Sequence, residues 1–137
     1  MGIDLGRFPL IKHLASWVGL CPGDDESAGK RRSGKTRKRN VWLRSALVEA
    51  AHAASRSKDT YLAAYHHRIV ARRGKKEAIV ALAHTLLTII YYLVTRDRDF
   101  GDLGAEYLDQ HDRERTERRL IRRLEKYGYT VTRAPAV

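Results

Sequence analysis

Apolar residues recur at helical spacing along most of the chain, and glycine, proline and short polar clusters mark the breaks between runs. Residues 9–18 read as a short helix, because proline is favoured at the first helical position and Leu10, Leu14 and Trp17 then share a face. Gly19 and Pro22 end it. Asn40 is a good N-cap, and behind it Leu43, Ala46, Leu47, Ala50, Ala51 and Ala54 keep the helical period, with alanines that permit close packing. A break near residues 57–59 leads to a third helix reaching about Arg73, with Leu62, Tyr65, Ile69 and Val70 on its apolar side. Gly74 closes that helix and Lys75 opens the next. Residues 112–127 predict a strongly charged amphipathic helix in which Leu120, Ile121, Leu124 and Tyr127 form the buried stripe and Gly128 the stop.

Between these runs lie two irregular stretches and a tail. From 19 to 39 the hydrophobic period vanishes, so a long loop, or a loop with a short hairpin, is expected. Structureless connections of that length are uncommon in small domains and are more often functional than idle. Residues 97–104 are a turn-rich connector, and 129–133 alternate like one short strand or an extended tail. The expected fold is mainly α: a compact bundle of about five helices with a long basic loop after the first. The expected organisation is one domain over 1–137, with the basic loop at 19–39, a helical core at 40–127 and the tail at 128–137.

The stretch 78–95 has no formal charge, which makes it a membrane-span candidate by hydropathy. His84, Thr85, Thr88 and the paired tyrosines favour instead the central helix of a small core, apolar nearly all round because other helices surround it. No membrane partner is expected. The N-terminus lacks the features of a secretory signal, and Cys21 is the only cysteine, so a cytoplasmic location is expected.

Charge changes the picture most. Lys plus Arg number 27 against 16 Asp plus Glu in 137 residues, a formal net charge of +11. Such an excess points to a polyanionic partner, nucleic acid first and an anionic membrane surface or acidic protein behind it. The excess is locally concentrated: seven of the ten residues 30–39 are basic (Lys30, Arg31, Arg32, Lys35, Arg37, Lys38 and Arg39) and none is acidic. Interleaved Gly, Ser and Thr free the backbone to approach phosphates, and the run opens onto a helix N-terminus at Asn40, which also favours an anion. A solvated charge run is the plain alternative. The Gly-to-Gly-Lys spacing of a Walker A loop is missing.

A second basic cluster, Arg72, Arg73, Lys75 and Lys76, could continue the track begun by 30–39 and Arg44. The last helix is basic too, but its Glu and Asp residues can pair with arginines at helical spacing, so part of that face reads as a surface salt-bridge array. Ser27 is the hydroxyl of interest, because phosphoryl transfer through a serine ester needs a nucleophile beside cations. A serine in such a loop is otherwise a turn or cap residue. Adjacent His66 and His67 diverge by about a hundred degrees on a helix, poor spacing for a shared metal. His84 reads as a core histidine. No cofactor or metal is expected on this chain alone.

Several ordered motifs then resemble one family: Phe8-Pro9; Leu14-Ala15-Ser16-Trp17-Val18-Gly19-Leu20-Cys21-Pro22-Gly23; Glu26-Ser27-Ala28-Gly29-Lys30-Arg31-Arg32-Ser33-Gly34-Lys35-Thr36; and Asn40 through Arg44. Arg73-Gly74-Lys75-Lys76, Ala78-Ile79-Val80-Ala81, Leu86-Leu87, Asp102-Leu103-Gly104-Ala105-Glu106-Tyr107, Arg119-Leu120 and Gly128-Tyr129 continue the likeness. They are similar to the C-terminal domain of the transposases named after insertion sequences one-ten, one-sixteen and nine-oh-two. The resemblance implies a serine nucleophile at Ser27 and double-stranded DNA as substrate. It also implies a structured element-encoded RNA as partner and a homo-oligomer at full length. Magnesium would be held by carboxylates of a separate N-terminal RuvC-like domain, which this reading expects to be absent here, leaving the chain inactive by itself. Arg39 departs from the glycine expected before Asn40, which bears on the backbone there. The competing reading is a non-catalytic basic module for DNA or guide RNA, or an element remnant.

Overall fold

The computed structural model describes residues 5–21, 25–27, 30–33 and 40–135. Among these, six helices and one two-stranded hairpin run in the order α1 (Ile11–Val18), β1 (Asp25–Ser27), β2 (Lys30–Ser33), α2 (Val41–Ser55), α3 (Tyr61–Arg73), α4 (Lys75–Arg96), α5 (Tyr107–His111) and α6 (Arg113–Lys126). The mainly α expectation holds.

Local chemistry sets the helix ends. The Asn40 side chain accepts the Leu43 N–H at 3.1 Å, and Thr60 does the same for Ala63 at 3.2 Å, so α2 and α3 each satisfy one orphan donor. Gly19, at φ +85°, closes α1 by donating to the carbonyls of Ala15 and Ser16. Gly74, at φ +90°, serves two helices: its N–H donates to Val70 O and its carbonyl accepts from Ala78 N. One residue in a conformation that disfavours any side chain thus separates α3 from α4.

Helix α4 organises the core. Helices α1, α2 and α3 all pack on it, and it buries Ala78, Ile79, Leu82, Ala83, Leu87 and Tyr91. Leu82 and Leu87 are essentially inaccessible and join Leu14, Val18, Leu20, Leu47, Ala51 and Leu62 in one cluster. Burying each large aliphatic side chain is worth about 1.5–3 kcal/mol. Thr85, Thr88 and Thr95 satisfy their hydroxyls within the helix by donating to the carbonyls four residues back. The Tyr91 hydroxyl donates to Phe8 O at 2.8 Å, tying the segment before α1 to the far half of α4. Among the described residues α4 is the one helix with the length and apolarity to cross a membrane.

The structure corrects two helix faces. Helix α1 begins at Ile11, not Pro9, and buries Leu14, Ala15 and Val18; Leu10 is half exposed and Trp17 lies outside the core, its ring 5.5 Å from that of Phe8. The cause is rotational: α2 and α4 meet the 14/15/18 side, about a hundred degrees from Trp17. Helix α6 buries no residue, and Leu120, Leu124 and Tyr127 are 51%, 43% and 70% exposed. Ile121, the fourth residue of that stripe, is only partly buried, and among the helices the α6 backbone approaches only α5, so most of the stripe expected to be buried is left open. The tail beyond Gly128 pairs with no strand among the described residues. Helix α5 was not anticipated; Tyr107 anchors it against Tyr61, with ring centroids 5.8 Å apart.

Candidate nucleic-acid interface

The segment expected as a long loop, or a loop with a short hairpin, contains an antiparallel hairpin. Its register pairs Ser27 with Lys30 and Glu26 with Arg31, and an irregularity next to Asp25 shifts the pairing so that Asp25 faces Ser33. Two residues, Ala28 and Gly29, separate Ser27 from Lys30 in sequence. Directly opposed residues in such a pair have Cα atoms roughly 4.5–5.5 Å apart. Ser27 is therefore the last residue of one strand, held beside the first basic residue of the other. Lys35, Arg37, Lys38 and Arg39, and with them the Arg39 departure before Asn40, lie outside the described residues.

Past that segment the chain resumes at the α2 N-terminus. Trp42 in its first turn is 89% exposed, and Trp17, Asn40, Val41 and Trp42 line one depression. Arg44, one turn on from Asn40, is partly buried. The Phe8–Trp17 ring contact and the Tyr91 hydroxyl bond to Phe8 O tie α1 to the second half of α4. Arg72, Arg73, Lys75 and Lys76 are all exposed where α3 hands over to α4, sixteen residues before Tyr91, or about 24 Å of helix axis. No contact among the described residues joins the α3–α4 corner to the hairpin.

The corner continues elsewhere. Arg68 and Arg72 on α3 face α6 across a cleft of about 760 Å³, whose lining holds eight cationic side chains and a single acid, Asp112. Residues 115, 119, 122 and 126 follow a 4-3-4 spacing, which puts four cations in one stripe along α6. Arg68 pairs with Asp109, and the α6 acids pair along the helix: Arg113 with Glu117 at 3.2 Å and Arg118 with Glu114 at 3.4 Å. Arg72, Arg115, Arg119, Arg122, Arg123 and Lys126 have no ion-pair partner among the described residues. The sequence had shown the basic helix; what it lacked was the second wall, forty-odd residues away in the chain.

The histidines behave as partly enclosed bases. Burial holds His66 below the ordinary imidazole value, with His67 and His52 adding to the effect, and both its ring nitrogens are shielded and without a hydrogen-bond partner. Burial alone lowers His84. Tyr61 is pushed up by burial, then by Tyr65 and Tyr107. Among the described residues no group of three His, Cys, Asp or Glu side chains is gathered to hold a metal ion.

Fold and charge together define a basic helical domain with cations gathered on exposed helix faces and at a hairpin. Residues 1–67 match the model of the Transposase IS116/IS110/IS902 family. The transposase for insertion sequence element IS1111A of Coxiella burnetii is 31% identical over 101 residues, covering 71% of this chain and 28% of that protein. A probable family 20 transposase of Pseudomonas aeruginosa is 29% identical over 98 residues, covering 69% of this chain and 29% of that protein. No solved structure matches the chain significantly. The first 67 residues are thus similar to this insertion-sequence transposase family, and the chain's match spans under a third of the length of these relatives.

Proposed function

We propose that this chain is the nucleic-acid-binding, serine-bearing part of an insertion-sequence transposase, acting on double-stranded DNA. The register that pairs Ser27 with Lys30 supports the reading, because it sets a serine opposite the first residue of a run with seven basic residues in ten. In the proposed step the Ser27 oxygen attacks a backbone phosphorus, the bond from phosphorus to one sugar oxygen breaks, and that oxygen leaves with the serine's proton. The phosphoserine ester conserves the diester's bond energy until a hydroxyl of another strand reverses the step. Lys30, Arg31 and Arg32 would stabilise charge growing on the phosphoryl oxygens. Lys35, Arg37, Lys38, Arg39 and Arg44 would grip the strand, with Arg72, Arg73, Lys75 and Lys76 as a separate contact. The described residues do not make a magnesium site, so magnesium chemistry is assigned to the carboxylates of a RuvC-like domain and no step here runs through it.

The test is strand transfer with the RuvC-like domain supplied, alongside trapping of labelled DNA bound covalently to the protein. Ser27→Ala should abolish the adduct and lower transfer by about a thousandfold or more, as loss of a nucleophile does elsewhere. Undiminished transfer would remove Ser27 from the chemistry and leave the reading of a non-catalytic binding module. Duplex binding should weaken steeply with salt, and a flat salt response would count against nucleic acid altogether.

A further inference from the structure

We propose that the cleft between α3 and α6 is a second nucleic-acid site, which clasps one sugar-phosphate strand between two rows of cations at a place distinct from Ser27. The inference rests on nucleic acid as the partner and adds the α6 surface, which meets the α3–α4 corner at Arg72 and is separate from the hairpin.

Charge placement is the first ground. Helix α6 has a cationic stripe and, on its opposite side, an apolar stripe of Leu120, Leu124 and Tyr127. Burial of apolar area should turn the apolar stripe inwards. Here the cationic stripe faces Arg68 and Arg72 across the cleft, while Leu120, Leu124 and Tyr127 stand exposed and only Ile121 of the apolar side is partly covered. On the opposing wall Arg68 is paired with Asp109 but Arg72 is not, so Arg72 meets the unpaired cations of α6 across the cleft with Asp112 as the only acid in the lining. Mutual repulsion opposes this arrangement, and a bound polyanion relieves it.

Size and donor chemistry identify the polyanion. From Arg115 to Lys126 the stripe runs eleven residues, about 16 Å along the helix, far longer than one phosphate. Successive phosphates of one strand lie further apart along the strand than the roughly 3.4 Å axial rise of a duplex, so the stripe reaches several phosphates but fewer than five. The lining is dominated by arginine, whose planar fork of donors matches phosphate oxygens two at a time. Arginine's fork also fits carboxylates, so polyglutamate serves as the competing polyanion in the test.

Salt-dependent binding of this chain to a 25-base-pair DNA duplex, an RNA hairpin and polyglutamate separates the possibilities. The variant is Arg115→Gln/Arg119→Gln/Arg122→Gln, compared with Lys30→Gln/Arg31→Gln/Arg32→Gln. All three cleft arginines are exposed, so the helical circular dichroism of the first variant should match the parent. The parent's slope of log affinity against log salt should fall in magnitude by about 2–3 in the cleft variant, near 0.9 per lost phosphate contact for duplex DNA and 0.7 for a single strand. Whether the duplex or the hairpin shows that loss tells which strand the cleft holds. A parental slope on both nucleic acids would overturn the inference, as would polyglutamate binding at least as tightly and being lost in the variant. If only the Lys30 variant loses slope, the proposed function stands and the cleft does not.

Discussion

Two exposures at opposite extremes fix what single side chains contribute. Leu82 is fully enclosed at the centre of α4, where α2 and α3 close on it, so Leu82→Ala removes apolar contacts and leaves a cavity that the packed helices cannot fully collapse. It should cost about 2–5 kcal/mol of unfolding free energy in urea titration. Trp42, in the first turn of α2, makes a large ring almost wholly available to solvent at 89% exposure. Trp42→Ala should shift stability by no more than about 0.5 kcal/mol. A loss from Trp42→Ala comparable with that from Leu82→Ala would mean the ring is covered. A ring this exposed has no stabilising task in the described structure, and its place just after the basic run gives it a base to stack on if nucleic acid lies there.

Helix α6 differs from α4 in what holds it. Its stability rests on contacts with α5, on the Arg68–Asp109 pair that tethers α5 to α3, and on two exposed i,i+4 pairs worth a few tenths of a kcal/mol each. A fourteen-residue helix is marginal by itself. Amides of α6 should exchange through openings of about 1–2 kcal/mol, while those around Leu82 and Leu87 exchange only near global unfolding. Equal protection in both helices would show a partner surface that the structure lacks. The same contrast explains what could be read from the sequence. Caps and breaks were legible because they are local: Asn40, Gly74 and Gly128 each act on residues within one turn. The two stripes of α6 were legible as well, but the pattern cannot say which one a neighbour meets. Burial of Leu120 and Leu124 was expected because apolar faces usually pack, and here α3 stands on the cationic side instead. Ser27 could be picked out by its motif, whereas its pairing with Lys30 needed the hairpin register, and the cleft needed Arg68 and Arg72 brought to a helix distant in sequence.

Across the whole domain, stability should depend on pH through two enclosed bases. Burial lowers His66 and His84 in the folded state, so between their folded values and the unfolded value near 6.5 the unfolded chain binds more protons. Stability is then fully present above about pH 6.5 and is lost as pH falls towards the lowered folded values, the reverse of a histidine gaining an acidic partner. Acidification also adds positive charge to a chain already at +11, which opposes compaction whichever histidine titrates. The two effects separate by substitution. His66→Gln/His84→Gln keeps the other four of the six histidines, so the general charge effect largely remains while the contribution of burial goes. Urea midpoints at pH 7.5 and 5.5 should differ clearly in the parent and much less in the double variant. An equal drop in both proteins would mean that the enclosed imidazoles do not govern the acid response and that the overall charge does. The fold would then weaken in acid because its cations crowd one another, and a bound polyanion should restore the parent and the double variant equally.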